Sequence, residues 1–146
     1  MRQFFIFIVA ICLFVPSYLY GQNPKPSTKE IYELQEKCGK QATALFKKEY
    51  GTGYDKSEAG TLISSFTNHY NVKLNKCFVL INSNSVSKSN NDTLIMKDLW
   101  DINDNKNCGS MVRWRKQNNP MNCSVDNRIC KSEGEWDSLV KPYMEN

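Results

Sequence analysis

The side chains most able to do chemistry in this 146-residue chain are six cysteines and one histidine. Cys12 lies inside an apolar run, which leaves Cys38, Cys77, Cys108, Cys123 and Cys130. No two of these five stand at Cys-x-x-Cys spacing. With only His69 to join them, a zinc cluster or a thioredoxin-type redox pair has no ligand set. Sulfur chemistry here therefore means crosslinking, which requires an oxidising compartment. Five is an odd number, so at least one thiol is left free or pairs between chains.

His69 sits in Asn68-His69-Tyr70-Asn71. A small hydrolase could use it with a nearby carboxylate. No Gly-x-Ser-x-Gly elbow accompanies it, and no cysteine or serine stands in a recognisable nucleophile motif. Asp101-Ile102-Asn103-Asp104-Asn105 resembles the first half of a calcium loop, with oxygen ligands at alternate positions. Lys106 stands where the loop needs glycine and Val112 where it needs a bidentate glutamate, so a polar hairpin turn accounts for these residues better. Arg113-Trp114-Arg115-Lys116 mixes basic and aromatic residues, as single-strand nucleic-acid binders do. The alternation around it instead reads as a strand. Asn-x-Ser/Thr occurs at Asn91-Asp92-Thr93 and Asn122-Cys123-Ser124, which matters only in a host that glycosylates exported proteins. No cofactor, metal or nucleic-acid partner is expected.

The elements that would position these residues follow from patterning. Ser27-Thr28-Lys29-Glu30 is a capping box. Ile31, Leu34, Cys38, Ala42, Leu45 and Phe46 then recur at helical spacing, up to Gly51 and Gly53. Tyr54 to Gly60 is a polar connection. Leu62, Ile63 and Phe66 lead into Tyr70, and Asn71 can turn the chain. Leu74, Cys77, Phe78, Val79, Leu80 and Ile81 form the strongest strand signal. Asn82 to Asn91 reads as a loop. Further strands are expected near Thr93–Ile102 and Cys108–Lys116. In the latter, Cys108, Ser110, Val112 and Trp114 would face inward and Met111, Arg113 and Arg115 outward. Gln117 to Cys130 is polar. Ser132-x-x-Glu135 opens a second helix through Trp136, Leu139, Val140, Tyr143 and Met144, which Pro142 should kink or end. The expected fold is an α+β domain: N-terminal helix, four-stranded antiparallel sheet, C-terminal helix, in two layers with both helices on one face.

On that scheme Cys38, on the apolar face of the helix, would bridge to Cys77 in the strongest strand. Cys123 and Cys130 would form a local bridge, and Cys108 would remain as a small apolar residue. Met111, Arg113 and Arg115, on the uncovered side of the sheet, form the candidate binding surface.

Residues 1–21 read as a signal peptide: charged Arg2, an apolar run from Phe4 to Val15, and small Gly21 before the cut. The run is too short to span a membrane. Residues 22–26, with Pro24 and Pro26, form a tether, and 27–146 one disulfide-bearing domain. Removal of Arg2 lowers the formal net charge from +4 to +3. That mild charge gives no reason to invoke nucleic acid or anionic lipid.

Two stretches carry a resemblance. Asn68-His69-Tyr70-Asn71 with Leu74-Asn75-Lys76-Cys77-Phe78, and Glu135-Trp136-Asp137 with Leu139-Val140-Lys141 and Tyr143-Met144, resemble a family of small exported bacterial proteins without an established activity. The resemblance implies a bacterial, periplasmic setting and transfers no catalytic or ligand residue. The functional expectation is a soluble, non-enzymatic binding module, periplasmic or secreted, whose partner is a protein or envelope component. A His69 hydrolase and a structural envelope protein are the alternatives.

Overall fold

The computed structural model describes residues 26–89 and 91–146. The expected signal peptide and all of the tether but Pro26 lie outside the described residues. Helix α1 spans Thr28–Tyr50 and helix α2 Glu133–Met144. Between them run β1 (Tyr54–Lys56), β2 (Gly60–Asn71), β3 (Lys76–Ser87), β4 (Thr93–Asp101), β5 (Lys106–Trp114), β6 (Asn122–Val125) and β7 (Arg128–Ile129). The strands form one antiparallel meander in the order β1-β2-β3-β4-β5-β6-β7.

Both helices begin as their sequences dictate. The Glu30 backbone N–H donates to Ser27 Oγ (3.3 Å), and the Ser27 N–H donates to a Glu30 carboxylate oxygen (2.7 Å). Two otherwise unpaired donors are thereby satisfied. In α2 only half of that reciprocity forms. The Glu135 N–H reaches Ser132 Oγ (3.2 Å), while the Glu135 carboxylate accepts instead from the Lys131 N–H (2.8 Å). Pro142 does not end α2, which continues two residues further to Met144. So close to the terminus, its missing N–H removes little of the ladder.

The expected two-layer, four-stranded architecture is overturned. The sheet has seven strands among the described residues, and the helices lie on opposite faces. Ala42 and Phe46 of α1 pack on Val79 and Ile81, while Trp136 and Val140 of α2 pack with Phe78, Leu99, Met111 and Val125. Adjacent residues on a strand point to opposite sides. Phe78 and Leu80 thus serve the α2 side, and Val79 and Ile81 the α1 side. A strand buried on both faces must be apolar at every position rather than at alternate ones. That is why Phe78 to Ile81 is an unbroken apolar run.

The strands missing from the sequence reading are polar because they are edges or tips. β1 lies in the expected connection and its three residues are all exposed. β3 continues to Ser87 through Asn82, Ser83, Asn84 and Ser85, which had read as loop. β6 and β7 lie in the polar stretch before α2. Their pairing is held by backbone hydrogen bonds and by the Cys123–Cys130 disulfide (Cα–Cα 5.0 Å), not by an apolar pattern. A second disulfide joins Cys38 on α1 to Cys77 on β3 (Cα–Cα 5.4 Å) and pins that helix to the sheet.

A register shift between Leu99 and Trp100 sets the faces of β5. Leu99 pairs with Gly109 and Trp100 with Asn107, so Cys108 is the extra residue. A bulge of this kind changes which side the following residues face. Cys108 joins the α2-side core rather than the side of Val112 and Trp114. Gly109 is required at this point. A Cβ there would stand 2.6 Å from the Ser124 carbonyl oxygen and 2.9 Å from Val125 Cγ2.

Candidate functional site: the open half of the sheet

The surface expected from the sequence is not open. Met111 is fully buried (0% exposed) in the core beneath α2. Arg113 donates to Glu133 on α2 through Nε (3.1 Å) and Nη2 (2.7 Å). Lys97, on the same face, reaches Glu133 (2.8 Å) and Asp137 (3.2 Å). The Lys97 hydrogen bond, with help from Arg113, holds the Glu133 carboxyl below its ordinary range against the opposing effect of burial. Of the three expected residues only Arg115 is exposed. The reason is the second helix: the side thought to face water is the seat of α2.

His69 lies on β2, on the α2 side. Its Nε2 stands 3.3 Å from the Asn146 side-chain oxygen. Among the described residues its side-chain partner is thus an amide rather than a carboxylate. The calcium-like segment is also occupied from within. Asp101 accepts the N–H groups of Asn103 (2.9 Å) and Asp104 (3.2 Å), and its second oxygen accepts from the Lys76 ammonium (2.5 Å). Asp104 accepts from the same ammonium (2.5 Å), and Asn103 Oδ1 accepts the Cys77 N–H (2.7 Å). A lysine thus fills the place of a cation. Among the described residues no group of three or more His, Cys, Asp or Glu side chains could hold a metal ion.

The surface left open is on the α1 side. That helix packs mainly on β2 and β3; its C-terminal end reaches Trp100 on β4 but not Leu94 or Met96. Leu94 pairs with Trp114 and Met96 with Val112 across the β4–β5 ladder. All four are half-buried, and none joins a core cluster. Among the described residues they form a contiguous apolar row with no helix above it.

One carboxylate lies in this row. Asp98 shares the face of Ile81 and Ser110, its cross-strand partners. Asn107 Nδ2 donates to it (3.2 Å), and among the described residues no lysine or arginine forms an ion pair with it. Burial pushes its carboxyl above the ordinary aspartate range. Tyr50, at the end of α1, stacks on Phe46 with ring centroids 5.2 Å apart. Burial, and then the charge of Asp98, raise its phenol above the ordinary value. Beside them Leu45, Lys48, Tyr50, Ile81 and Trp100 line a cleft of about 270 Å³. An apolar row, a cleft and an uncompensated carboxylate are complementary to a group carrying apolar surface next to positive charge.

Sequence reasoning missed this site because it assigned Val112 and Trp114 to the core. The signal that marked them was present: Leu94, Met96, Val112 and Trp114 recur at alternate positions, as one strand face does. The same spacing describes a face under a helix and a face beside one. Among the described residues no helix is long and apolar enough to cross a membrane. No protein-family model, curated protein or solved structure matches the chain.

Proposed function

We propose that this protein is an exported, non-enzymatic binding module of the periplasm or cell exterior. Its contact surface is the open half of the sheet on the α1 side. The carrying observation is the row Leu94, Met96, Val112 and Trp114 beside Asp98: half-exposed apolar side chains around a carboxylate that has no cationic partner among the described residues. The partner this chemistry fits is a protein segment that sets apolar side chains on the row and a basic side chain against Asp98. Export is supported by the charged, apolar and small-residue pattern of residues 1–21 and by two disulfides, which persist where thiols are not kept reduced.

Selection of a random peptide library on the disulfide-bonded protein tests the binding reading. The expected ligands combine apolar residues with lysine or arginine. They lose affinity for the Asp98→Asn and Met96→Lys variants and keep it for Arg115→Ala. Ligands that bind all of these variants alike would place the contact elsewhere.

A further inference from the structure

We propose that the free edge of β2 pairs with the same edge of a second copy of this chain, making a two-fold dimer with one continuous sheet. This surface is separate from the open sheet face, and the inference does not depend on the binding reading above.

β1 covers only a quarter of β2, pairing with Thr61, Leu62 and Ile63. The Ser64 N–H still finds the Gly53 carbonyl, and the Gly60 carbonyl accepts from the Ser57 N–H. Residues 60 and 64 therefore direct backbone groups toward the β1 side. The β2–β3 register is unbroken from Gly60 to Asn71. In an antiparallel ladder alternate residues turn their N–H and C=O the same way. Phe66, Asn68 and Tyr70 must then direct theirs outward, beyond the reach of β1. Among the described residues these outward groups have no backbone or side-chain partner.

Exposed edges of this kind are normally guarded by lysine, proline, a bulge or a covering element. β2 has none of the first three. Its sequence, GTLISSFTNHYN, holds no charged residue and no proline, and its ladder to β3 has no irregularity. Unpaired backbone groups on a regular, uncharged strand are a template for another strand.

The arrangement is self-complementary about Asn68. Antiparallel pairing with Asn68 facing Asn68 sets Phe66 of each copy opposite Tyr70 of the other. This one register engages every outward group of the three residues. The rings of Phe66 and Tyr70 stay packed on their own α1, so the pairing rests on the backbone groups. Between them Thr67 faces His69. Like charges do not oppose one another anywhere in the paired segment. A two-fold axis requires this kind of identity between the two patches.

Sedimentation equilibrium and amide hydrogen exchange on the exported, disulfide-bonded protein test the proposal. The wild type is expected at twice the monomer mass, with the amides of Phe66, Asn68 and Tyr70 protected and becoming exchangeable on dilution. Asn68→Lys and Asn68→Asp each place like charges face to face and are expected at the monomer mass, with unchanged circular dichroism and disulfide map. Mixing the two variants should restore the dimer mass. A monomeric wild type, a dimer unaffected by either variant, or rapid exchange at the three amides in the dimer would overturn the proposal. Protection gained only when another protein is added would assign the edge to that protein instead. The exchange measurement needs no variant, so it decides the matter even if a substitution disturbs folding.

Discussion

The side-chain amide nitrogen of Asn71 lies 2.9 Å from the carbonyl oxygen of Pro142. Asn71 ends β2, is 1% exposed, and also donates toward the carbonyls of Tyr143 (3.3 Å) and Glu145 (3.1 Å). The last carbonyls of a helix have no partner within it. One buried asparagine supplies them here and ties the end of α2 to the sheet. Nearby the rings of Phe78 and Tyr143 meet edge-on at 5.2 Å. The stretches 68–78 and 135–144 are therefore packing partners. Their residues hold α2 to β2 and β3, on the opposite side from the candidate contact surface.

Replacing Asn71 with alanine should strand these carbonyls in a buried setting. The expected loss is about 1–3 kcal/mol, the cost of leaving buried polar groups unpaired. Asn71→Asp should cost at least as much, because a carboxylate can only accept and would face other acceptors. Urea denaturation of the two variants beside the wild type measures this. Equal midpoints for all three would remove the capping role.

The two disulfides should differ in worth. Cys38–Cys77 spans 39 residues and Cys123–Cys130 spans 7. In the chain-entropy account the longer loop contributes about 4 kcal/mol and the shorter about 2. Double serine variants of each pair should lose stability in that order, again by urea denaturation. The longer pair also joins the N-terminal helix to the sheet, so its removal should raise amide exchange in α1 more than in α2.

Two carboxyl groups should give opposite pH responses. Glu133 is held below its ordinary pKa by Lys97, with Arg113 assisting. Its contribution is present above the pKa it has in the unfolded chain and is lost as pH falls through the lowered folded value. Asp98 is raised by burial, so its ionisation opposes folding, and stability declines as pH rises through its raised value. Glu133→Gln should therefore destabilise at neutral pH and converge with the wild type in acid. Asp98→Asn should stabilise at neutral pH and lose that advantage in acid. Denaturation midpoints across the acidic to neutral range check both signs.

Gly109→Ala should cost about 1–3 kcal/mol through overpacking, since the new methyl would press on the Ser124 carbonyl and on Val125. Thermal unfolding measures this. Gly134→Ala is the control, because a Cβ there meets nothing within 4 Å. It should be neutral or slightly stabilising in the first turn of α2.

What the sequence determined by itself is local. Ser27 with Glu30 and Ser132 with Glu135 mark helix starts because a cap is a contact within one turn. The spacing of Cys38, Ala42 and Phe46 marks the buried stripe of α1 because periodicity is a property of one helix. The short separation of Cys123 and Cys130 and the apolar settings of Cys38 and Cys77 made the two disulfide pairs legible. The run from Phe78 to Ile81 even held the decisive clue, since a strand apolar at every position must be covered twice.

Tertiary structure decided which face each helix takes, and with it the surroundings of every other residue. Met111 and Arg113 lie under α2, while Met96 and Val112 lie open beside α1, although all four are strand residues of similar pattern. Alternation separates the two sides of a strand but does not say what, if anything, covers each. The short strands β1, β6 and β7 and the polar half of β3 stayed hidden for a related reason. Their stability comes from backbone pairing to neighbours, and backbone hydrogen bonds are written in no side chain.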